Sequence, residues 1–154
     1  MASALTAYLH YVAMISIAVI LVVEYMLCLP GITGDRIRRL ARIDLLYVAA
    51  VVLAIGTGVA RVVWFGKGAA FYLHNPVFYV KIALFLAVGL VSIPPTLQYL
   101  RWQRGVGSGA ANVAADYQVL RVRRYILAEL VLFAFIPLMA TLMARGIGMQ
   151  TTAQ

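Results

Sequence analysis

The sequence predicts an all-α integral membrane four-helix bundle, and three observations carry that fold class. Hydrophobic residues make up 64% of the 154-residue chain, against roughly 45–50% in soluble globular domains. Charged residues are only 12%, and the mean hydropathy is +0.95. The apolar residues also fall into four runs, each close to the roughly 20 residues that a helix needs to cross about 30 Å of hydrocarbon. A soluble chain of this size could not bury so much apolar side chain, so its solvent is lipid. Strands are excluded as the spanning element because a lipid-exposed strand edge leaves backbone groups unpaired.

The first span is residues 3–29, with His10 and Glu24 the ionisable residues inside it. It reads as an uncleaved helix. A signal peptide would carry a positively charged start and a shorter apolar run, and Tyr25, Met26 and Leu27 are too bulky to precede a lipoprotein cleavage at Cys28. The second span is residues 44–63. Its Ala50, Ala54 and Gly58 form a stripe of small side chains that allows close helix approach. The third span, residues 76–100, contains Pro94-Pro95, which is expected to break or kink it, because neither ring nitrogen can donate. The fourth, residues 125–144, contains Pro137, with a milder effect. Nothing remains for a repeat or a second domain, so residues 1–154 form a single transmembrane domain.

Loops 30–43 and 101–124 hold nine of the 13 basic residues: Arg36, Arg38, Arg39 and Arg42, then Arg101, Arg104, Arg121, Arg123 and Arg124. The opposite side has Arg61, Lys67 and Arg145. The positive-inside rule therefore puts both termini outside (periplasmic) and the two arginine-rich loops in the cytoplasm, where they meet anionic lipid head groups. That reading accounts for the pI of about 10.1 without nucleic acid as a partner. Within loop 101–124, Gly105, Gly107, Ser108 and Gly109 form a flexible break. Val113, Tyr117 and Leu120 then recur at helical spacing, as an amphipathic lead-in on the leaflet or as an extension of the fourth helix.

Ionisable residues inside a membrane are candidates for function by default. Counting residues from the helix ends at 1.5 Å each, His10 and Lys81 lie roughly 7–8 Å below the outer boundary, and Arg61 lies about 3 Å below it. Three helices thus contribute His10, Arg61 and Lys81 to one outer layer, surrounded by Tyr8, Trp64, Tyr72, His74 and Tyr79. An inner layer holds Glu24, Asp44 and Glu129, with Arg42, Arg101 and Arg124 at comparable depth. Structural ion pairs are the favoured reading there, and a proton relay is the functional alternative. All five acids (Glu24, Asp35, Asp44, Asp116 and Glu129) fall on the cytoplasmic side, so no carboxylate neutralises Arg61 and Lys81. Those cations either snorkel to lipid phosphate or hold a bound anion between helices.

Imidazole is the usual axial ligand of haem iron inside a helical bundle, and haem propionates require cations. His10 as the metal ligand, with Arg61 and Lys81 at the propionates, makes a candidate haem b site; His74, just before the third helix, is a candidate second ligand. Copper is a weaker fit, since Met14 lies one turn from His10 but no soft-ligand cluster accompanies it. The lone Cys28 excludes an intramolecular disulfide and a CxxC zinc site. No phosphate-binding loop, dinucleotide motif or nucleophile motif is present.

Leu9-His10-Tyr11, Gly56-Thr57-Gly58-Val59-Ala60-Arg61 and Asn75-Pro76-Val77-Phe78-Tyr79-Val80-Lys81 resemble an uncharacterised family of small four-helix bacterial inner-membrane proteins, over nearly the whole chain. The resemblance implies a multi-pass protein of the bacterial inner (cytoplasmic) membrane. More loosely, the order His, Thr-Gly, Lys is similar to the group containing the copper-resistance CopD membrane domain and the membrane protoporphyrinogen oxidase. That similarity implies a haem-binding role for His10 and a functional role for Lys81. Where the group has a tryptophan one or two turns after the histidine, this chain has Ile15 to Val22. Two functions of different class are therefore expected: a haem-b-binding redox protein, or a non-enzymatic bundle that binds lipid or serves as an accessory subunit of a larger membrane complex. Whether the chain is an enzyme, and whether it pairs with a second copy, is left open by the sequence.

Overall fold

A computed structural model of the chain describes residues 1–65, 72–109 and 113–147. It contains four long helices: α1 (Ala2–Leu27), α2 (Gly34–Ala60), α3 (Pro76–Gly107) and α4 (Asp116–Ala144). At its far end α2 widens into one π-helical turn, Arg61–Phe65. All four helices are long and apolar enough to cross a membrane. The chain is an all-helical membrane protein.

Local sequence sets where the helices start. The Thr33 hydroxyl accepts the Arg36 N–H, and Asp35 stands in the first turn of α2, where a negative charge favours the helix dipole. At α3 the Asn75 side chain accepts the Val77 N–H at 2.9 Å, and Pro76 takes the first helical position, where its missing N–H costs nothing. The connection from α1 to α2 turns through Gly31 at φ +71°, a conformation that strains any larger residue. The Gly31 N–H donates to Asp116 Oδ1 at 2.8 Å, which ties this turn to the start of α4.

Three of the helices run further than the expected spans. Helix α2 begins at Gly34 instead of residue 44, α3 continues to Gly107 instead of residue 100, and α4 begins at Asp116 instead of residue 125. Hydropathy marks where lipid ends, whereas arginine, leucine and alanine are good helix formers on both sides of that boundary. The arginine-rich segments are therefore mostly extra helical turns, and Tyr117 and Leu120 lie on an extension of α4. Helix α3 is unbroken through Pro94 and Pro95, and α4 is unbroken through Pro137. Interior prolines are tolerated in membrane helices because neighbouring groups accommodate the freed carbonyls.

Helix α1 packs on α2 and α4, and α3 packs on α2 and α4. The backbones of the diagonal pairs do not approach closely among the described residues. This closed ring buries Ala13, Ile17 and Leu21 of α1 and Ala50 and Ala54 of α2, with Val88, Tyr99 and Trp102 of α3 facing Val119, Ile126 and Phe133 of α4. The opposite faces carry Leu45, Leu46, Val52, Leu86 and Leu90, between 61% and 68% exposed, as lipid-facing side chains are. At mid-depth an apolar cavity of about 200 Å³ lies between the helices, bounded by Ile17, Tyr47, Val51, Phe85, Ser92 and Phe133 among others.

Candidate functional site

The ring of helices carries a polar layer toward each end. At the end where α1 begins and α4 finishes, His10 projects from α1, Thr57 and Gly58 from α2, Arg61 from the π-turn and Lys81 from α3. His10 Nδ1 lies 3.0 Å from Thr57 Oγ1. The same hydroxyl is 2.6 Å from the Leu53 carbonyl and 3.3 Å from that of Ala54. A hydroxyl has one proton, and the short contact to Leu53 takes it, so Oγ1 acts as acceptor toward the imidazole. His10 therefore carries its proton on Nδ1 and presents Nε2 as a lone pair. The imidazole lies against α2 at Gly58, where a Cβ would stand 3.4 Å from His10 Cε1, in ordinary van der Waals contact.

Arg61 and Lys81 are near enough to His10, and to each other, for their charges to interact. Among the described residues, no acid stands between them. The Arg61 guanidinium lies 5.4 Å from the Tyr11 ring centre, and Lys81 Nζ lies 5.2 Å from that of Phe78; both are cation–π contacts, not ion pairs. An aromatic frame supports Lys81: Tyr72 packs on Phe78 at 5.6 Å, Phe78 on Tyr79 at 5.8 Å, and the Tyr79 hydroxyl donates to the Leu73 carbonyl. His74 is exposed in the turn preceding α3, at this same end. Lys67 lies outside the described residues. Among the described residues, no group of three His, Cys, Asp or Glu side chains gathers into a metal site.

The layer toward the arginine-rich end is buried and acidic. Glu24, Asp44 and Glu129 are 2%, 7% and 1% exposed. Glu24 is within electrostatic range of both other carboxyls. Asp44 accepts a hydrogen bond from Thr96 at 2.8 Å, and Tyr47 lies beside Glu129 and Ser92. One oxygen of Glu24 and the Tyr99 hydroxyl are buried with no hydrogen-bond partner among the described residues. The ion pairs expected with Arg42, Arg101 and Arg124 are not formed: among the described residues the salt bridge joins Arg38 to Asp35, both on the surface. The reason is direction. Arg42, Arg101 and Arg124 are exposed, while the carboxyls face the seam between helices. Arg123 turns to other partners, stacking 4.1 Å over Tyr25 and approaching the Cys28 carbonyl.

Residues 2–148 match a family model described as a predicted membrane protein, DUF2214. The chain belongs to that family. Membership in DUF2214 agrees with the four spanning helices and extends over nearly the whole chain. No curated protein and no solved structure matches the chain. Two features of this DUF2214 chain escape a reading of the sequence alone. Thr57 is part of the Gly-Thr-Gly motif, yet its role as anchor of His10 emerges only when α1 is laid on α2. The tyrosines and Thr96 around the buried acids carry no charge and so give no signal in a search for ionisable residues.

Proposed function

We propose that the protein is a redox protein of the bacterial inner membrane, with both termini outside, holding haem b at the terminal end of the bundle. The observation that carries this reading is the His10–Thr57 hydrogen bond. Metal-ligating histidines donate the second ring nitrogen to a fixed acceptor, which sets the tautomer and orients the ligand nitrogen. His10 has that arrangement, with Nε2 available to iron. Arg61 and Lys81 beside it, with no acid between them among the described residues, match the charge of two propionates. The similarity of His10, Thr57-Gly58 and Lys81 to the CopD and membrane protoporphyrinogen oxidase group points the same way.

The donor chemistry fits the group, and the interior does not enclose it. The mid-depth cavity of about 200 Å³ excludes His10 from its lining and is below the roughly 300 Å³ at which ligand pockets begin. When bound, haem supplies one-electron chemistry. The roles of this chain are to hold the iron through His10, balance the propionates with Arg61 and Lys81, and keep His74 as the candidate second ligand on the turn before α3. A lipid-binding bundle or an accessory subunit of a larger complex, the competing reading, predicts no chromophore. The test is an absorption spectrum of detergent-purified protein from haem-replete cells, before and after dithionite. A near-stoichiometric Soret band that shifts on reduction, and is lost in His10→Ala, is expected. A featureless spectrum overturns the redox reading.

A further inference from the structure

A groove of about 410 Å³ opens between α3 and α4 at the arginine-rich end, far from His10. Its lower part is apolar, formed by Ile93, Pro94, Leu97 and Val122. Its upper part is polar, formed by Gln98 and Arg101 of α3 and by Tyr117, Gln118 and Arg121 of α4, with Tyr125 at the lower end of the α4 wall. From Ile93 to Arg101, and from Tyr125 to Tyr117, each wall rises about 12 Å along its helix. Because the helices are antiparallel, both polar halves reach the same level. The groove therefore changes from hydrocarbon-like to cationic over the distance in which a bilayer changes from acyl chain to phosphate.

No acid lines it. Asp116, the acid next to Tyr117, is held by the Gly31 N–H on the far side of α4. Gln118 is fixed between two neighbours, accepting from the Trp102 indole at 3.4 Å and donating to the Tyr117 hydroxyl at 3.4 Å. The two arginines are left without a carboxylate partner among the described residues. A guanidinium pair with amides and the Tyr117 hydroxyl above an apolar floor suits one ligand class. We propose that this groove binds the phosphodiester head group of an anionic phospholipid, with its acyl chain descending over Ile93 and Leu97. A soluble anion would leave the apolar floor uncovered, and a neutral lipid would leave both guanidiniums without a counter-charge. The site is independent of the haem reading, lying at the opposite end of the bundle.

Trp102, one of two tryptophans, touches Gln118 in the groove wall and serves as the reporter. In a Trp64→Phe background, fluorescence is quenched with phosphatidylglycerol or phosphatidylcholine brominated near the acyl carboxyl end, in mixed vesicles. Two arginines facing one phosphodiester set a preference for phosphatidylglycerol of about tenfold or more. Arg101→Gln with Arg121→Gln should bring that preference to near onefold, while Arg39→Gln with Arg42→Gln, on another helix, should retain most of it. Millimolar inorganic phosphate should leave the quenching unchanged. Equal quenching by the two lipids overturns the proposal, as does loss of preference in the Arg39/Arg42 variant equal to that in the groove variant. Displacement by inorganic phosphate overturns it in favour of a soluble anion. Unchanged helical circular dichroism in each variant separates loss of the site from loss of the fold.

Discussion

Replacing Thr57 by valine keeps shape and volume and removes the oxygen that fixes His10. The hydroxyl's own bond to Leu53 matters little, since that carbonyl belongs to the helix ladder. What changes is the partner of Nδ1–H, now 3.0 Å from Oγ1. Hydrogen bonds between membrane helices average about 0.6 kcal/mol and reach about 1.7 kcal/mol. The Ala54 carbonyl, also within reach of the ring, limits the loss, so destabilisation of about 1 kcal/mol is expected. The larger effect is on orientation. Removing the outer partner of a ligating histidine lowers metal affinity by about 10–100-fold. Two assays read the two effects: reversible unfolding in mixed detergent micelles for stability, and haem titration at the Soret band for affinity. Imidazole 15N shifts give a third readout that needs no haem. Wild type should show a protonated Nδ1 and bare Nε2; Thr57→Val should mix the tautomers, and Thr57→Ser should restore the wild-type pattern. If Thr57→Ser is as damaging as Thr57→Val, or if Thr57→Val leaves the 15N pattern intact, the hydroxyl is not the anchor.

Three further outcomes follow from the packing. Glu24 is 2% exposed with one oxygen unpartnered, so Glu24→Met should raise stability by about 1–3 kcal/mol, by deleting a buried polar group that lacks its partner; an unchanged or lower unfolding midpoint would mean that the carboxyl is satisfied in the membrane. Asn75→Ala removes a cap that is 1% exposed and also bonds the Ile147 carbonyl, so a cost of about 1–2 kcal/mol is expected, against a few tenths for Thr33→Ala at a cap with a 3.5 Å bond. In α3 a Cβ at Gly105 would meet Val113 Cγ1 at 2.7 Å, whereas nothing lies within 4 Å at Gly107. Gly105→Ala should therefore destabilise by about 1 kcal/mol and Gly107→Ala should be neutral or stabilising, measured by thermal unfolding in detergent.

The spans were legible because hydropathy reports the solvent directly. Counting about 1.5 Å per residue along the helices put His10, Arg61 and Lys81 in one layer, where the structure brings them within electrostatic range of one another. Depth is a single coordinate, however, and the direction in which a side chain leaves its helix is another. That is why Glu24, Asp44 and Glu129 share a level with Arg42, Arg101 and Arg124 and still make no salt bridge with them. The same blindness hid the partnership of Thr57 with His10, although Ala50, Ala54 and Thr57 recur at intervals that mark one face of α2. Arg101 and Arg121 entered the reading of the sequence as topology signals. Their shared groove depends on α3 and α4 lying side by side, which no local pattern of charge encodes. The unbroken course of α3 through Pro94-Pro95 was not legible either, because proline's cost depends on what surrounds the freed carbonyls.

The pairing of neighbours around the ring has a consequence for how the protein is made. Helix α1 ends at Leu27 and α2 starts at Gly34, and α3 ends at Gly107 and α4 starts at Asp116. Little chain separates the helices of each half, so each half can enter the bilayer as a hairpin as soon as it leaves the ribosome. A chain severed between Phe65 and Tyr72 should consequently assemble from its two halves expressed separately. The first half would bring the oriented imidazole and Arg61, and the second would bring Lys81. The terminal-end site is thus a joint between two insertion units, completed only when the second has docked on the first.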